Sequence, residues 1–183
     1  MIKEPQKKIE TGTVIKRDIL EKQAKSIFLG IGSNLGNRSK NILKAIFLLT
    51  QNKVQILKCS SYYESLSWPN PKNPKFLNII LKVKTNLRPT QLLKKCKDIE
   101  TELGRKKLPK NSPRPCDIDI IDYQRIISRK KLILPHPRMH TRNFVLIPLF
   151  EISKDWNHPI YGRHIKNLIL SLSNRDIRSI KQF

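Results

Sequence analysis

The sequence predicts an α+β fold built on an antiparallel sheet, and two observations carry that expectation. Short apolar runs bounded by turn residues recur at 27–31, 54–63, 76–83 and 117–123, with the length and punctuation of strands. Between them, 39–52 and 89–103 place apolar side chains at helical intervals. The order β-α-β-β-α-β followed by further helix is the ferredoxin-like split βαβ arrangement. It implies helices packed on one face of the sheet and a C-terminal helical extension.

Each element has a local reason. Ile27-Phe28-Leu29-Gly30-Ile31 is an apolar run closed by a Gly-Ser-Asn-Leu-Gly-Asn turn, which reads as a buried strand. Ile42, Leu43, Ile46, Phe47 and Leu49 give the first helix its apolar positions. Residues 54–63 read as one strand and 76–83 as the next. Between them 65–75 carries Pro69, Pro71 and Pro74 with Asn70 and Asn73, a loop of restricted backbone. Pro89 opens the second helix, Leu92, Leu93, Cys96, Ile99 and Leu103 line it, and Gly104 ends it. A basic loop at 104–115 leads into a strand at 117–123. A short apolar run at 132–134, a helix over 143–152 and a last helix over 165–172 complete the reading.

A chain of 183 residues fits one domain, assigned here to 26–183. Residues 1–25 are polar and lysine-rich and read as a flexible basic extension, with a short helical turn at 15–25. They lack the apolar block of a signal peptide and contain too many acids for a transit peptide. No apolar stretch approaches the ~20 residues of a membrane helix. The 37 Lys+Arg against 14 Asp+Glu give a net charge of +23, which attracts nucleic acid, anionic membranes or polyphosphates alike. A solvated lysine-rich surface is the alternative. Three cysteines without a Cys-x-x-Cys pair argue for a reduced, cytoplasmic setting and for thiols serving as small buried hydrophobes.

Familiar nucleotide motifs fail. Gly30-Ile31-Gly32-Ser33-Asn34-Leu35-Gly36 has its third glycine one residue late for a dinucleotide fingerprint, and no P-loop exists. His136 and His140 have the spacing of a zinc pair, but Pro137 interrupts the helix that would align them. The strongest signal is Arg114-Pro115-Cys116-Asp117-Ile118-Asp119. Along a strand Asp117 and Asp119 share a face, ~6.6–6.8 Å apart, while Ile118 and Ile120 face the core. Two acids on an otherwise apolar strand repel one another and cost desolvation, and a pair of hard cations relieves both. A solvated edge face is the other reading. Arg105, Lys106, Lys107, Lys110, Arg114, Arg138 and Arg142 surround the pair, a setting that suits a polyphosphate better than a nucleic acid. Glu100 reads as a further acid in this basic setting or as half of a helix-surface ion pair. Phe76 and Phe144 are the aromatic candidates, with core packing as the alternative.

These residues belong to a larger pattern. Gly30 to Gly36, Ser60-Ser61-Tyr62-Tyr63-Glu64-Ser65, Phe76-Leu77-Asn78, Ile99-Glu100 to Gly104-Arg105, Pro113-Arg114-Pro115-Cys116-Asp117-Ile118-Asp119 and Pro135-His136-Pro137-Arg138-Met139 to Phe144 occur in that order. Together they resemble the 6-hydroxymethyl-7,8-dihydropterin pyrophosphokinase family of folate biosynthesis, from about residue 26 to about residue 152. The resemblance implies ATP as co-substrate and transfer of its β,γ-diphosphate to the pterin hydroxymethyl oxygen, releasing AMP. It implies that Asp117 and Asp119 bind two Mg2+ and that Arg105 and Arg114 stabilise charge on the transferred group. Glu100, Lys107, Ile120, His136 and Arg142 would hold ATP. Phe76 and Phe144 would sandwich the pterin, and Asn78 would read its polar edge with Ser65, Leu66 and Trp68. Phe76, Lys107 and Asn111 stand where the family often has Tyr, Arg and a loop Trp. The implied partners are ATP and the pterin, with no nucleic acid, no membrane and a monomeric chain. A basic RNA-binding sheet is the competing class, but the sequence lacks the aromatic run such sheets display. Another magnesium-dependent phosphoryl transferase is the second alternative.

Overall fold

The computed structural model describes residues 26–183; the extension and helical turn expected within 1–25 lie outside the described residues. Among the described residues, eight strands and five α-helices follow in chain order. They are β1 (Ile27–Ser33), α1 (Arg38–Gln51), β2 (Gln55–Cys59), β3 (Tyr63–Ser65), β4 (Phe76–Lys84), α2 (Pro89–Glu102), β5 (Asp117–Tyr123), β6 (Ser128–Arg129), β7 (Ile133–Leu134), α3 (Asn143–Ile152), α4 (Ile165–Leu170), α5 (Asn174–Ser179) and β8 (Lys181–Gln182). The main sheet runs β5-β1-β4-β3-β8, with β2 also paired to β4, and β6 and β7 form a separate hairpin. All pairings are antiparallel.

Helices cover both faces, which corrects the one-faced expectation. Below the sheet, Ile27, Leu29, Ile31, Ile79, Leu81, Ile118 and Ile120 pack against Ile42, Ala45 and Leu49 of α1 and Leu92, Cys96 and Ile99 of α2. Above it, Phe28, Ile80 and Ile121 meet Val145, Leu146 and Leu149 of α3, Ile165 and Leu168 of α4, and Trp156. The signal is in the strands themselves. A one-faced sheet requires polar residues at Phe28, Ile80 and Ile121, whereas β1, β4 and β5 are apolar on both sides. The upper helices cover only part of that face.

Other elements depart from the sequence reading for local reasons. The strand expected over 54–63 breaks into β2 and β3 at Ser60. Its hydroxyl accepts the Ile80 N–H at 2.9 Å and donates to the Ser61 carbonyl, a side-chain insertion into the ladder. Glu151 of α3 then accepts from the Ser61 backbone and hydroxyl and from the Tyr63 hydroxyl. Cys59 is exposed, unlike Cys96 and Cys116, so the expectation of three buried thiols holds for two. The last helix ends at Leu170. Ser173 then caps an additional helix, α5, by accepting from the Asp176 N–H at 3.0 Å, and β8 follows. A two-residue Lys-Gln strand has no apolar alternation to announce it.

Candidate active site

The site begins with two missing side chains. β1 lies between β5 and β4, and on its upper face it presents Gly30 and Gly32. Asp119 and Asp117 stand opposite them on one side, Ile80 and Asn78 on the other. A Cβ at Gly32 would come within 3.0 Å of Asn78 Oδ1 and 3.3 Å of Phe76 Cδ1. One at Gly30 would meet Ile121 Cδ1 at 3.2 Å. The glycines are therefore the floor of a cleft, with a cavity of about 500 Å³. Two strand spacings separate Asp117 from Asn78, roughly 10 Å.

The β5 wall is ionic. Asp117 accepts from Arg105 at 2.6 Å through Oδ1 and from Arg114 through Oδ2. Arg105 also pairs with Glu100 Oε2 at 2.6 Å. Glu100 is 2% exposed, and its Oε1 accepts from the Ile118 N–H and from Lys97, each at 2.7 Å. The helix, the loop and the strand thus meet at one buried carboxylate. Burial alone would raise the Asp117 pKa, but Arg114 and then Arg105 outweigh it and hold the carboxyl below its ordinary value. Asp119 is more open, 37% exposed, with His136 Nε2 at 3.9 Å. Burial lowers the His136 pKa against the pull of Asp119, and its Nδ1 accepts from the Arg138 N–H at 3.2 Å, so the ring is neutral near pH 7.

The opposite wall is aromatic. Phe76, Asn78, Ser65, Leu66, Trp68 and Phe144 line it. The Asn78 amide donates to Ser65 Oγ at 2.9 Å and to the Tyr63 carbonyl at 3.3 Å, which leaves its oxygen towards the cleft. Each ring has a guanidinium over it: Arg114 on Phe76 at 5.1 Å, Arg142 on Phe144 at 5.3 Å and Arg138 on Trp68 at 5.4 Å. Cation and aromatic surface are interleaved across the whole cleft.

Most residues singled out in the sequence converge here, and three do not reach the cavity wall. Glu100 is turned into the network beneath Arg105. The Ile120 side chain packs in the lower core. Lys107 is exposed on the loop, whereas Lys106, Leu108, Lys110 and Asn111 beside it line the cavity. Sequence reasoning missed Asn34 and Lys97. Asn34, buried in the turn after β1, accepts the Arg114 N–H at 2.8 Å and donates to the Pro74 carbonyl at 3.1 Å and Ser67 Oγ at 3.3 Å. It ties the two walls together, and its only sequence signal is a polar residue in a tight turn.

No group of three or more His, Cys, Asp or Glu side chains converges on a metal position among the described residues. The donor set is two carboxylates beside a cationic cleft. Mg2+ suits such a set because it takes one or two carboxylates and completes its shell with water and substrate phosphate. Arg114 Nε is buried without a hydrogen-bond partner, a donor that an anionic ligand would satisfy.

A two-walled cleft of this make-up on an α+β sheet has the charge and shape that suit the phosphoryl-transfer class. Residues 28–154 match the family of 7,8-dihydro-6-hydroxymethylpterin-pyrophosphokinase (HPPK), and the chain belongs to that family. It is 44% identical over 142 residues to the 2-amino-4-hydroxy-6-hydroxymethyldihydropteridine pyrophosphokinase of Aquifex aeolicus, covering 77% of this chain and 88% of that protein. It is 42% identical over 159 residues to the folic acid synthesis protein fol1 of Pneumocystis carinii, covering 86% of this chain and 22% of that one. The chain therefore spans most of the bacterial relative and about a fifth of the fungal one. A solved Plasmodium falciparum HPPK-DHPS structure with pterin and p-hydrobenzoate shares the fold at a TM-score of 0.65 and 15% identity, covering 86% of this chain and 47% of that chain.

Proposed function

We propose that this cleft transfers the β,γ-diphosphate of ATP to the hydroxymethyl oxygen of 6-hydroxymethyl-7,8-dihydropterin, with AMP as the leaving group. The new oxygen–phosphorus bond forms at the β-phosphorus as its bond to the AMP oxygen breaks, and the hydroxyl proton is lost to solvent. The observation that carries this reading is the glycine floor. It sets the Asp117 and Asn78 strand positions roughly 10 Å apart with no β1 side chain between them, room for a triphosphate to meet a flat heterocycle.

In this reading Asp117 and Asp119 would hold two Mg2+, which would supply positive charge against the triphosphate. Arg105 and Arg114 already lie against Asp117, so both guanidiniums stand beside the transferred group, where charge develops. His136, neutral and a donor at Nε2, and Arg142 contact ATP, with Lys107 at the loop mouth. Glu100 and Ile120 act from beneath, one through Arg105 and the other through its backbone. Phe76 and Phe144 stack on the pterin. The Asn78 oxygen accepts from its amino edge, while Ser65, Leu66 and Trp68 close that side.

The sheet order β5-β1-β4 with β2 and β3 beyond supports a ferredoxin-like reading of residues 26–183 as one domain. We take a monomer as the working unit. The free thiols and the demand for ATP fit the cytoplasm. The test is AMP formation in a mixture of the protein, ATP, Mg2+ and the pterin. AMP release that requires all three small molecules is the expected result. AMP release indifferent to the pterin, or no AMP from the complete mixture, overturns the reading.

A further inference from the structure

The segment 173–183 lies beyond the residues matched to the family, yet it is bound to two of the elements that carry the aromatic wall. Its first arm reaches α3. The Asn143 amide donates to the Asp176 carbonyl at 2.5 Å and to Ser179 Oγ at 3.0 Å, while its oxygen accepts the Phe144 N–H at 2.7 Å. The residue immediately before Phe144 is thereby pinned to α5.

The second arm reaches β3. Lys181 and Gln182 pair with Glu64 and Tyr63, and the Phe183 N–H donates to the Tyr62 carbonyl at 2.8 Å. β3 would otherwise be a three-residue edge strand, too short to hold its own position. It leads directly into Ser65, Leu66 and Trp68. The Phe183 ring, 71% exposed, lies 5.8 Å from the Arg38 guanidinium. Arg38 in turn donates to Glu64 at 3.0 Å and to the Lys75 carbonyl at 3.0 Å, while Lys75 pairs with Glu64 at 2.9 Å. Lys75 and then Arg38 hold the Glu64 carboxyl below its ordinary pKa, so this clamp is charged at neutral pH. The two ends of the 65–75 loop are therefore pinched together at a cluster that β8 and Phe183 cover.

We infer that the segment 173–183 is a strap that positions the heterocycle-binding wall, holding β3 and the start of α3 at the separation that a flat ligand requires. It acts through other residues and touches no reacting group. It makes no bond to Asp117 or Asp119, so its influence falls chiefly on the heterocycle. The inference rests on the proposed assignment of the pterin to Phe76, Asn78 and Phe144.

Two variants test it, a chain ended after Ile180 and Phe183→Ala. The first removes the strand pairing, and the second removes only an exposed ring and preserves the fold. Phe183→Ala deletes one weak surface interaction and the shortened chain several, so KM for the pterin should rise about threefold in the first and about tenfold in the second, with KM for ATP and kcat within about twofold. Amide hydrogen exchange over 63–68 in the ligand-free protein should quicken in both variants, with 117–121 unchanged. Equal rises in both KM values for Phe183→Ala, or unchanged pterin KM and unchanged exchange, overturn the strap. If the unaltered chain forms no pterin-dependent AMP, the functional reading fails instead, and the exchange measurement still decides the strap.

Discussion

The ionic wall of the cleft is drawn mostly from one stretch, 97–119, with His136 added, whereas the aromatic wall is gathered from residues as far apart as Ser65 and Phe144. Their internal order differs accordingly. Asp117, Arg105, Arg114 and Glu100 pair with one another at 2.5–2.6 Å, on the seven-residue strand β5, the helix before it and the loop between them. Across the floor, Trp68 is 63% exposed, and its wall rests on the three-residue strand β3, a proline-rich loop, the start of β4 and the start of α3. Charge can be pre-organised by opposite charge already in the chain, but a slot for a flat ring cannot fill itself without ceasing to be a slot. Its shape must be imposed from outside, by Asn34, Arg38 and the C-terminal segment.

The largest effect should come from the ionic wall. Asp117→Ala or Asp119→Ala should lower the rate of diphosphate transfer about a thousandfold or more, because triphosphate charge loses its neutralising ions. Circular dichroism should be unchanged, since β5 keeps Ile118, Ile120 and Ile121 in their cores. Asp117→Ala carries a further consequence: Arg114 loses its carboxylate partner, and Arg105 keeps only Glu100. Turnover near normal in both variants at saturating Mg2+ would remove the basis for distinguishing the walls.

Next comes the residue beneath that wall. Glu100→Gln keeps an acceptor for the Ile118 N–H but loses the charge that holds Arg105 and Lys97. A buried ion pair broken on one side leaves an uncompensated charge. Here Arg105 retains Asp117, so the expected outcome is a kcat about ten- to a hundredfold lower with a lower melting temperature. A positioning role predicts loss in kcat, whereas direct contact with ATP predicts a rise in KM. Steady-state kinetics with ATP varied separates the two.

The two walls were also unequally legible in the sequence. Asp117 and Asp119 could be placed on one face by strand alternation alone, and the apolar residues between them identified the strand. The aromatic wall offered no such local pattern. Phe76 and Phe144 looked like core residues, and only the family resemblance brought them together. Gly30 and Gly32 entered the sequence reading as a failed dinucleotide motif; their role as a floor appears only when β5 and β4 are set on either side. The second helical layer was legible in Phe28, Ile80 and Ile121 but was overridden by the usual form of the fold. Contacts such as Asn143 to Asp176 have no sequence signature, because they depend on where two distant segments meet.

A smaller effect, confined to the aromatic wall, is expected from Phe144→Ala. Stacking contributes ~0.5–1.5 kcal/mol beyond buried area, and lost burial adds to it. Pterin affinity should fall about tenfold or somewhat more, with ATP affinity nearly unchanged. Calorimetric titration of each ligand alone checks this. Equal losses for both would mean that Arg142, which rests on the Phe144 ring, had moved with it. The walls would then be one coupled unit.

The smallest effect should come from charge outside the cleft. Lys44, Lys58 and Lys166 are exposed and absent from the cavity lining. Replacing all three with Gln lowers the formal charge by three from +23, yet turnover at physiological salt should change by less than about twofold. Exposed charges more than a Debye length of ~8 Å from the ligand are largely screened there. Arg114 differs in kind because its Nε is buried without a partner and its guanidinium sits on Asp117. Arg114→Ala should therefore cost far more than the three lysines together. Lowering the salt should bring the two closer by extending the reach of the lysines toward an incoming polyanion, an effect on kcat/KM for ATP and not on kcat. If the lysine triple variant proved as damaging as Arg114→Ala at physiological salt, the basic surface would itself be part of the function. A titration with RNA across salt concentrations would then be the decisive measurement.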